Sequence, residues 1–177
     1  MRWVRRVDER VMRAVTSAGC AALDEVMPRA SRVADQLLVW WLIAGTLRAG
    51  GGRRSRRAAA RAALAMSVAG TLANGVRIYV FHRERPPEVL SRRRPGRVPD
   101  SPGFPSGHSA GAAAFATTLV CEAPRRVSVP VAALASLVAY SRVYTGAHYP
   151  GDVAAGAATG VAVALAVHGL FPAEERR

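Results

Sequence analysis

Five apolar stretches, at about 34–47, 58–81, 107–121, 127–140 and 153–171, alternate with segments dense in arginine, and this pattern limits the folds open to the chain. A helix of roughly 20 apolar residues spans a bilayer, so the shorter stretches must extend into polar neighbours or lie in a thin or protein-lined region. The expected fold is an all-α, polytopic transmembrane helical bundle of about five spans plus an N-terminal amphipathic helix. A soluble helical bundle would fit the shorter runs as well. Ala and Gly dominate the third and fifth stretches, which lets helix backbones approach closely.

From Trp3 to Ala18 the apolar residues Trp3, Val4, Val7, Val11, Val15 and Ala18 recur every three or four positions with arginines between them. This amphipathic helix suits either the membrane interface or packing on the bundle. A second periodic run, Leu23, Val26, Met27, Ala30, Val33 and Leu37, leads into the first span. Residues 1–32 are thus expected to form an interfacial helical region and 33–177 a transmembrane domain. The segments 48–57, with three consecutive glycines, and 82–105, rich in proline, read as loops.

The formal charge is +13, and all 25 basic residues are arginine. Such an excess suits nucleic acid, an anionic membrane surface or a phosphorylated substrate. Placement decides among them: the arginines lie between apolar stretches, as basic loops of a membrane protein do, so the expected partners are the bilayer and a lipid phosphate and not nucleic acid. Cys20 and Cys121 lack metal-ligand spacing and read as unpaired packing residues.

Polar residues gather at three places that the order of spans puts on one side of the bilayer. Arg77, Arg83, Arg85 and Pro86 end the second span; Pro105-Ser106-Gly107-His108 opens the third; the run from Ser141-Arg142 to His148 and Asp152 joins the fourth to the fifth. Ser106 can cap the following helix, whose free N–H groups bind an anion, and Gly107 admits a phosphate closely. His108 falls in the first turn, within reach of a leaving group. His148 and Asp152 are four apart, so on a continuous helical turn the carboxylate could hold the imidazole, although Pro150 makes that turn irregular. Arg85 and Arg142 supply the fixed donors that a phosphoryl group requires.

Pro105-Ser106-Gly107-His108, followed by Ser141-Arg142, five residues, His148, three residues and Asp152, resembles the second and third signatures of the type 2 phosphatidic acid phosphatase superfamily, related to vanadium haloperoxidases. The resemblance covers about 58–171. It implies a metal-free phosphatase without a cofactor: His148 as the nucleophile that forms a phosphohistidine, Asp152 orienting it, and His108 protonating the leaving oxygen. Arg85, Arg142, Arg77 and the backbone at Ser106 and Gly107 would hold the phosphoryl oxygens. The family's first signature is a basic residue, six residues, then Arg-Pro; here Ile78 stands at the basic position, Arg77 lies one residue further away, and Arg83 is the alternative from the loop. No carboxylate cluster for Mg²⁺ and no Cys/His zinc pattern accompanies these motifs.

Motifs at span ends imply a substrate whose phosphate lies at the membrane surface: phosphatidate, phosphatidylglycerol phosphate, a polyprenyl pyrophosphate or a polyprenyl-linked sugar phosphate. The lean is towards a polyprenyl-type lipid in a bacterial envelope pathway, in the plasma membrane. Arg48, Arg53, Arg54, Arg56 and Arg57 in the first connecting loop place it in the cytoplasm and the catalytic face outside, whereas Arg92, Arg93, Arg94 and Arg97 pull the opposite way. Two rival classes are a haloperoxidase-like vanadate enzyme and a non-enzymatic basic protein that binds anionic lipid or nucleic acid.

Overall fold

In the computed structural model, which describes residues 2–35, 38–92 and 101–171, all seven long elements are α-helices. They are α1 (Arg2–Ser17), α2 (Ala21–Asp35), α3 (Leu38–Gly50), α4 (Arg53–Tyr79), α5 (Gly107–Glu122), α6 (Arg125–Tyr144) and α7 (Pro150–Leu170), with a 3₁₀ turn at Glu88–Leu90. The five expected spans correspond to α3 through α7. The first was expected from Ala34; residues 36–37, and Arg93, Arg94 and Arg97 of the basic loop, lie outside the described residues.

Helix α5 is the hub, packed by α7, α4 and α6. Small residues explain how it can be. An added Cβ at Gly156 would lie 2.3 Å from the Ser106 carbonyl oxygen, and one at Gly160 2.2 Å from that of Ala110, so α5 and α7 meet backbone to backbone. Ala65, Ala69 and Ala73 of α4 join Ala110, Ala114, Ala164 and Val167 in the same core. A second core holds the larger side chains, with the rings of Trp40 and Phe115 5.4 Å apart.

Much of the bulky apolar surface is outside. Leu38, Trp41 and Leu42 of α3, Leu64, Val68 and Leu72 of α4, and Val161 and Leu165 of α7 are exposed, while alanines fill much of the interior. Water would penalise that arrangement, and hydrocarbon would not. Among the described residues α6 and α7 are long and apolar enough to cross a membrane. The amphipathic α1 follows the same inverted logic: Trp3, Val4, Val7 and Val11 face outward, and Asp8 and Met12 are buried. It therefore packs on the bundle, against α6 and α7, while its apolar stripe remains available to an interface.

The two ends of the bundle are chemically distinct. At one end buried Arg61 of α4 donates from Nη1 to Glu122 Oε1 of α5 at 2.8 Å and from Nη2 to the Phe171 carbonyl after α7. Arg54 donates from Nε to the Glu122 carbonyl at 2.9 Å. At the other end α4 finishes beside the start of α5, where Asn74 Oδ1 would meet a Cβ on Gly107 at 3.1 Å. The Ser106 N–H, just before α5, donates to the Asp152 carbonyl of α7 at 3.0 Å. The three polar clusters converge at this second end.

Candidate active site

Helix α5 begins as its sequence requires. Ser106, fully buried and extended, is the N-cap, and its Oγ accepts from the Ser109 N–H at 3.4 Å and the Ser109 hydroxyl at 3.0 Å. Gly107 and His108 form the first turn, where backbone N–H groups carry the positive end of the helix dipole.

The third cluster is built around a turn. Helix α6 ends at Tyr144, and Gly146 adopts φ 69°, a left-handed conformation that costs a glycine little. The chain then doubles back, so that the His148 N–H donates to the Arg142 carbonyl at 3.1 Å. Pro150 occupies the first position of α7 and does not interrupt it; Tyr149 is the N-cap. This is why His148 and Asp152 share no helical face. Asp152 sits at the third helical position, and its Oδ2 accepts from the Tyr149 N–H at 2.9 Å as in a capping box.

His148 is buried, and its ring contacts define the site. Nδ1 lies 2.8 Å from the Gly103 carbonyl oxygen and 3.9 Å from Asp152 Oδ2. A carbonyl can only accept, so Nδ1 carries the hydrogen and Nε2 keeps its lone pair. Nε2 is 3.2 Å from Nη1 of Arg85. Burial and then the Arg85 guanidinium hold the imidazole pKa well below its ordinary value, against the opposing hydrogen bond to Gly103, with Arg142 and His108 adding to the depression. The residue is a neutral imidazole near neutral pH.

Around it the arginines are fixed by carbonyls. Arg85 donates from Nη1 to the Ala147 carbonyl at 2.7 Å and from Nε to that of Ser101 at 2.9 Å. Buried Arg142 donates from Nη2 to the Ser31 carbonyl of α2 at 2.9 Å. Arg77, in the last turn of α4, has a buried Nε that meets no partner among the described residues. Arg83, the alternative at the basic position, is instead occupied: Nη1 donates to Asp152 Oδ1 at 2.9 Å, Nη2 donates to Asp8 Oδ2, and the guanidinium lies 4.5 Å from the centroid of the Tyr149 ring.

All eight residues expected at the site thus fall at this end of the bundle: His148, Asp152, Arg142 and Arg85 in one connected group, Ser106, Gly107 and His108 opening α5, and Arg77 ending α4. Sequence reasoning missed Gly103 and Asp8. Gly103 contributes a carbonyl, which no side-chain pattern announces. Asp8 carried only a weak signal, since it stands beside Glu9 on the same helix and burial alone distinguishes the two.

The family model described as the PAP2 superfamily matches residues 58–176. A lipid A 4'-phosphatase of Bacteroides thetaiotaomicron is 38% identical over 73 residues, which cover 41% of this chain and 31% of the relative. The chain therefore spans under a third of that protein's length. Two crystal structures share the fold. The first, of a transmembrane PAP2 type phosphatidylglycerolphosphate phosphatase from Bacillus subtilis, has a TM-score of 0.72 at 24% identity, covering 99% of this chain and 90% of that one. The second, of Aquifex aeolicus LpxE, has a TM-score of 0.73 at 20% identity, covering 90% and 93%.

Proposed function

Because the chain belongs to the PAP2 superfamily, we propose that it is a membrane-embedded phosphatase that hydrolyses the phosphate monoester or pyrophosphate of a lipid through a phosphohistidine. The observation that carries this reading is the His148 ring: neutral, with its hydrogen committed to Gly103 and the lone pair of Nε2 turned towards the Arg85 guanidinium. A lone pair held beside a cation suits attack on an anionic phosphoryl group, which the same cation draws in.

In the first step Nε2 of His148 attacks phosphorus, the bond from phosphorus to the leaving oxygen breaks, and His108 gives that oxygen its proton. In the second, His108 takes a proton from water, the water oxygen attacks phosphorus, and the nitrogen–phosphorus bond breaks to release inorganic phosphate and restore His148. Arg85, Arg142 and Arg77, with the backbone N–H of Gly107 in the helical turn that Ser106 caps, stabilise the equatorial oxygens. Asp152, 3.9 Å from Nδ1, favours the positive charge that the ring acquires once phosphorylated, and the Gly103 carbonyl fixes its tautomer. Every step falls to side chains, and no metal or other cofactor is called for.

A lipid substrate is supported by the outward-facing aliphatic side chains of α3, α4 and α7 and by the position of the site at helix ends. The Bacteroides relative is a lipid A 4'-phosphatase and the Bacillus one a phosphatidylglycerolphosphate phosphatase, which supports the same substrate class. Phosphatidate, phosphatidylglycerol phosphate, a polyprenyl pyrophosphate and a polyprenyl-linked sugar phosphate are the candidates, and a polyprenyl-type lipid of the bacterial envelope is the favoured one. Residues 1–32 then lie at the interface and 33–177 form the transmembrane domain. The arginines at 48–57 stand at the opposite end of α4 from the site, which favours a cytoplasmic loop and an extracytoplasmic catalytic face in the plasma membrane.

The test is release of inorganic phosphate from a panel of these lipids by detergent-purified protein with EDTA present. Turnover that survives the chelator and is inhibited by vanadate supports the proposal; activity lost to EDTA and restored by Mg²⁺ refutes the metal-free mechanism. Absence of turnover on every lipid phosphate refutes the substrate class.

A further inference from the structure

Asp8 is an anomaly on its helix. It is 4% exposed, on a segment whose valines at positions 4, 7 and 11 face outward. A buried carboxylate costs several kcal/mol in desolvation unless it is paired, and an apolar residue there would dock α1 as well or better. Its contacts show what the charge is used for. Oδ1 accepts from the Gly151 N–H at 2.7 Å, in the first turn of α7, and Oδ2 accepts from Nη2 of Arg83. The added Cβ that Gly151 lacks would stand 3.0 Å from Asp8 Oδ2, so the approach requires glycine or a local shift.

Arg83 in turn grips the site twice. Its Nη1 donates to Asp152 Oδ1 at 2.9 Å, and its carbonyl accepts from the Gly103 N–H at 2.7 Å. The Gly103 carbonyl is the acceptor for Nδ1 of His148, at 2.8 Å. Hydrogen bonds joined through the Arg83 side chain and the Gly103 backbone therefore lead from Asp8 to the imidazole, with Asp152 on a side branch. No step of the path uses the helical core.

We infer that Asp8 of the N-terminal helix is a positioning residue for the reaction at His148, acting through Arg83, so that the interfacial helix forms part of the active site. The inference rests on the phosphatase reading above. Arg83 holds the Gly103 carbonyl and the Asp152 carboxylate in register only while its guanidinium is anchored on both sides. Without Asp8 it is free to swing towards Asp152 alone, and the loop that carries Gly103 moves with it. Displacing the His148 ring by about 1 Å from its line of attack costs up to about a hundredfold in rate.

The experiment compares Asp8→Asn with the wild type and with Asp24→Asn, on the favoured lipid phosphate in detergent micelles. Asp24 lies on α2 and binds Arg92 and the Tyr144 hydroxyl, so its loss loosens the N-terminal helices without touching Arg83. Asp8→Asn should lower kcat roughly ten- to a hundredfold with KM within about twofold. Its thermal inactivation should match that of Asp24→Asn, which keeps kcat. Adding Asp8→Asn to Arg83→Gln should cost no further rate, since both break one path. If the Asn variant does not fold, Asp8→Glu replaces it: the longer arm pushes Arg83 aside and lowers kcat at constant KM. An unchanged kcat in whichever Asp8 variant folds, an equal loss in Asp24→Asn, or additive losses with Arg83→Gln would each overturn the inference. An inactive wild type would instead sink the phosphatase reading itself.

Discussion

Glu122 offers a sharp test of how the bundle is held, because it can be perturbed far from the chemistry. Its carboxylate is the charge partner of Arg61 at 2.8 Å, both side chains are only 9% exposed, and the same Oε1 is 3.3 Å from Nδ1 of His168. In Glu122→Ala the guanidinium stays buried and loses this carboxylate. Breaking such a pair from one side costs about 3–5 kcal/mol. For a chain of this size each kcal/mol lowers the midpoint by roughly 2–4 °C, so the loss is on the order of 6–20 °C. The double variant Arg61→Met/Glu122→Leu removes both charges and should recover most of that loss. The assay is the temperature of half-inactivation in detergent, with helicity followed in parallel. Arg61 stands 16 residues before Arg77 on one helix, roughly 24 Å away, so turnover at a permissive temperature should be unchanged. A shift under about 2 °C in Glu122→Ala, or a double variant no more stable than the single one, would refute the assignment of the pair as a buried clamp.

Three further outcomes follow from the same contacts. His148 has a depressed pKa when folded, so the unfolded chain binds more protons below its ordinary value of about 6.5; its stabilising contribution is complete above that pH and lost on acidification at about 1.4 kcal/mol per unit. The difference between wild-type and His148→Gln stability curves over pH 7 to 5 should show that slope, and parallel curves would contradict it. Gly160→Ala should separate α5 from α7 and destabilise by about 1–3 kcal/mol, whereas Gly70→Ala, with open space around its added Cβ, should be neutral or slightly stabilising in a thermal scan; equal effects would refute the close approach. Arg77→Ala should lower kcat roughly a hundredfold at unchanged helicity if its guanidinium holds a phosphoryl oxygen, and turnover within a few-fold of wild type would remove it from the site.

The fold was legible where periodicity and small residues speak for themselves. The Ala and Gly faces of the third and fifth apolar stretches are the surfaces on which α5 and α7 touch, because only residues without bulk permit 2.2 Å to an added Cβ. The convergence of the three motifs followed from counting spans. What was not legible arises from contacts between distant residues. His148 with Asp152 looked like a helical pair, yet Pro150 starts the helix between them, and the imidazole turns to a carbonyl 45 residues earlier. The stripe of Trp3, Val4, Val7 and Val11 marked the apolar face of α1 correctly but not its packed face. In lipid, the apolar face can point outward, and the buried side can carry an acid such as Asp8.

The central claim is that His148 becomes covalently phosphorylated, and rapid quenching of the enzyme with phosphate-labelled lipid measures this directly. The wild type should accumulate an acid-labile, base-stable phosphoenzyme before steady state, and His148→Ala should form none. In His108→Ala the phosphoenzyme should still form, slowly from a lipid alkoxide and faster from an activated aryl phosphate, whose leaving group needs no acid. Phosphoenzyme that persists in His148→Ala and vanishes in His108→Ala would contradict the account by reversing the two roles.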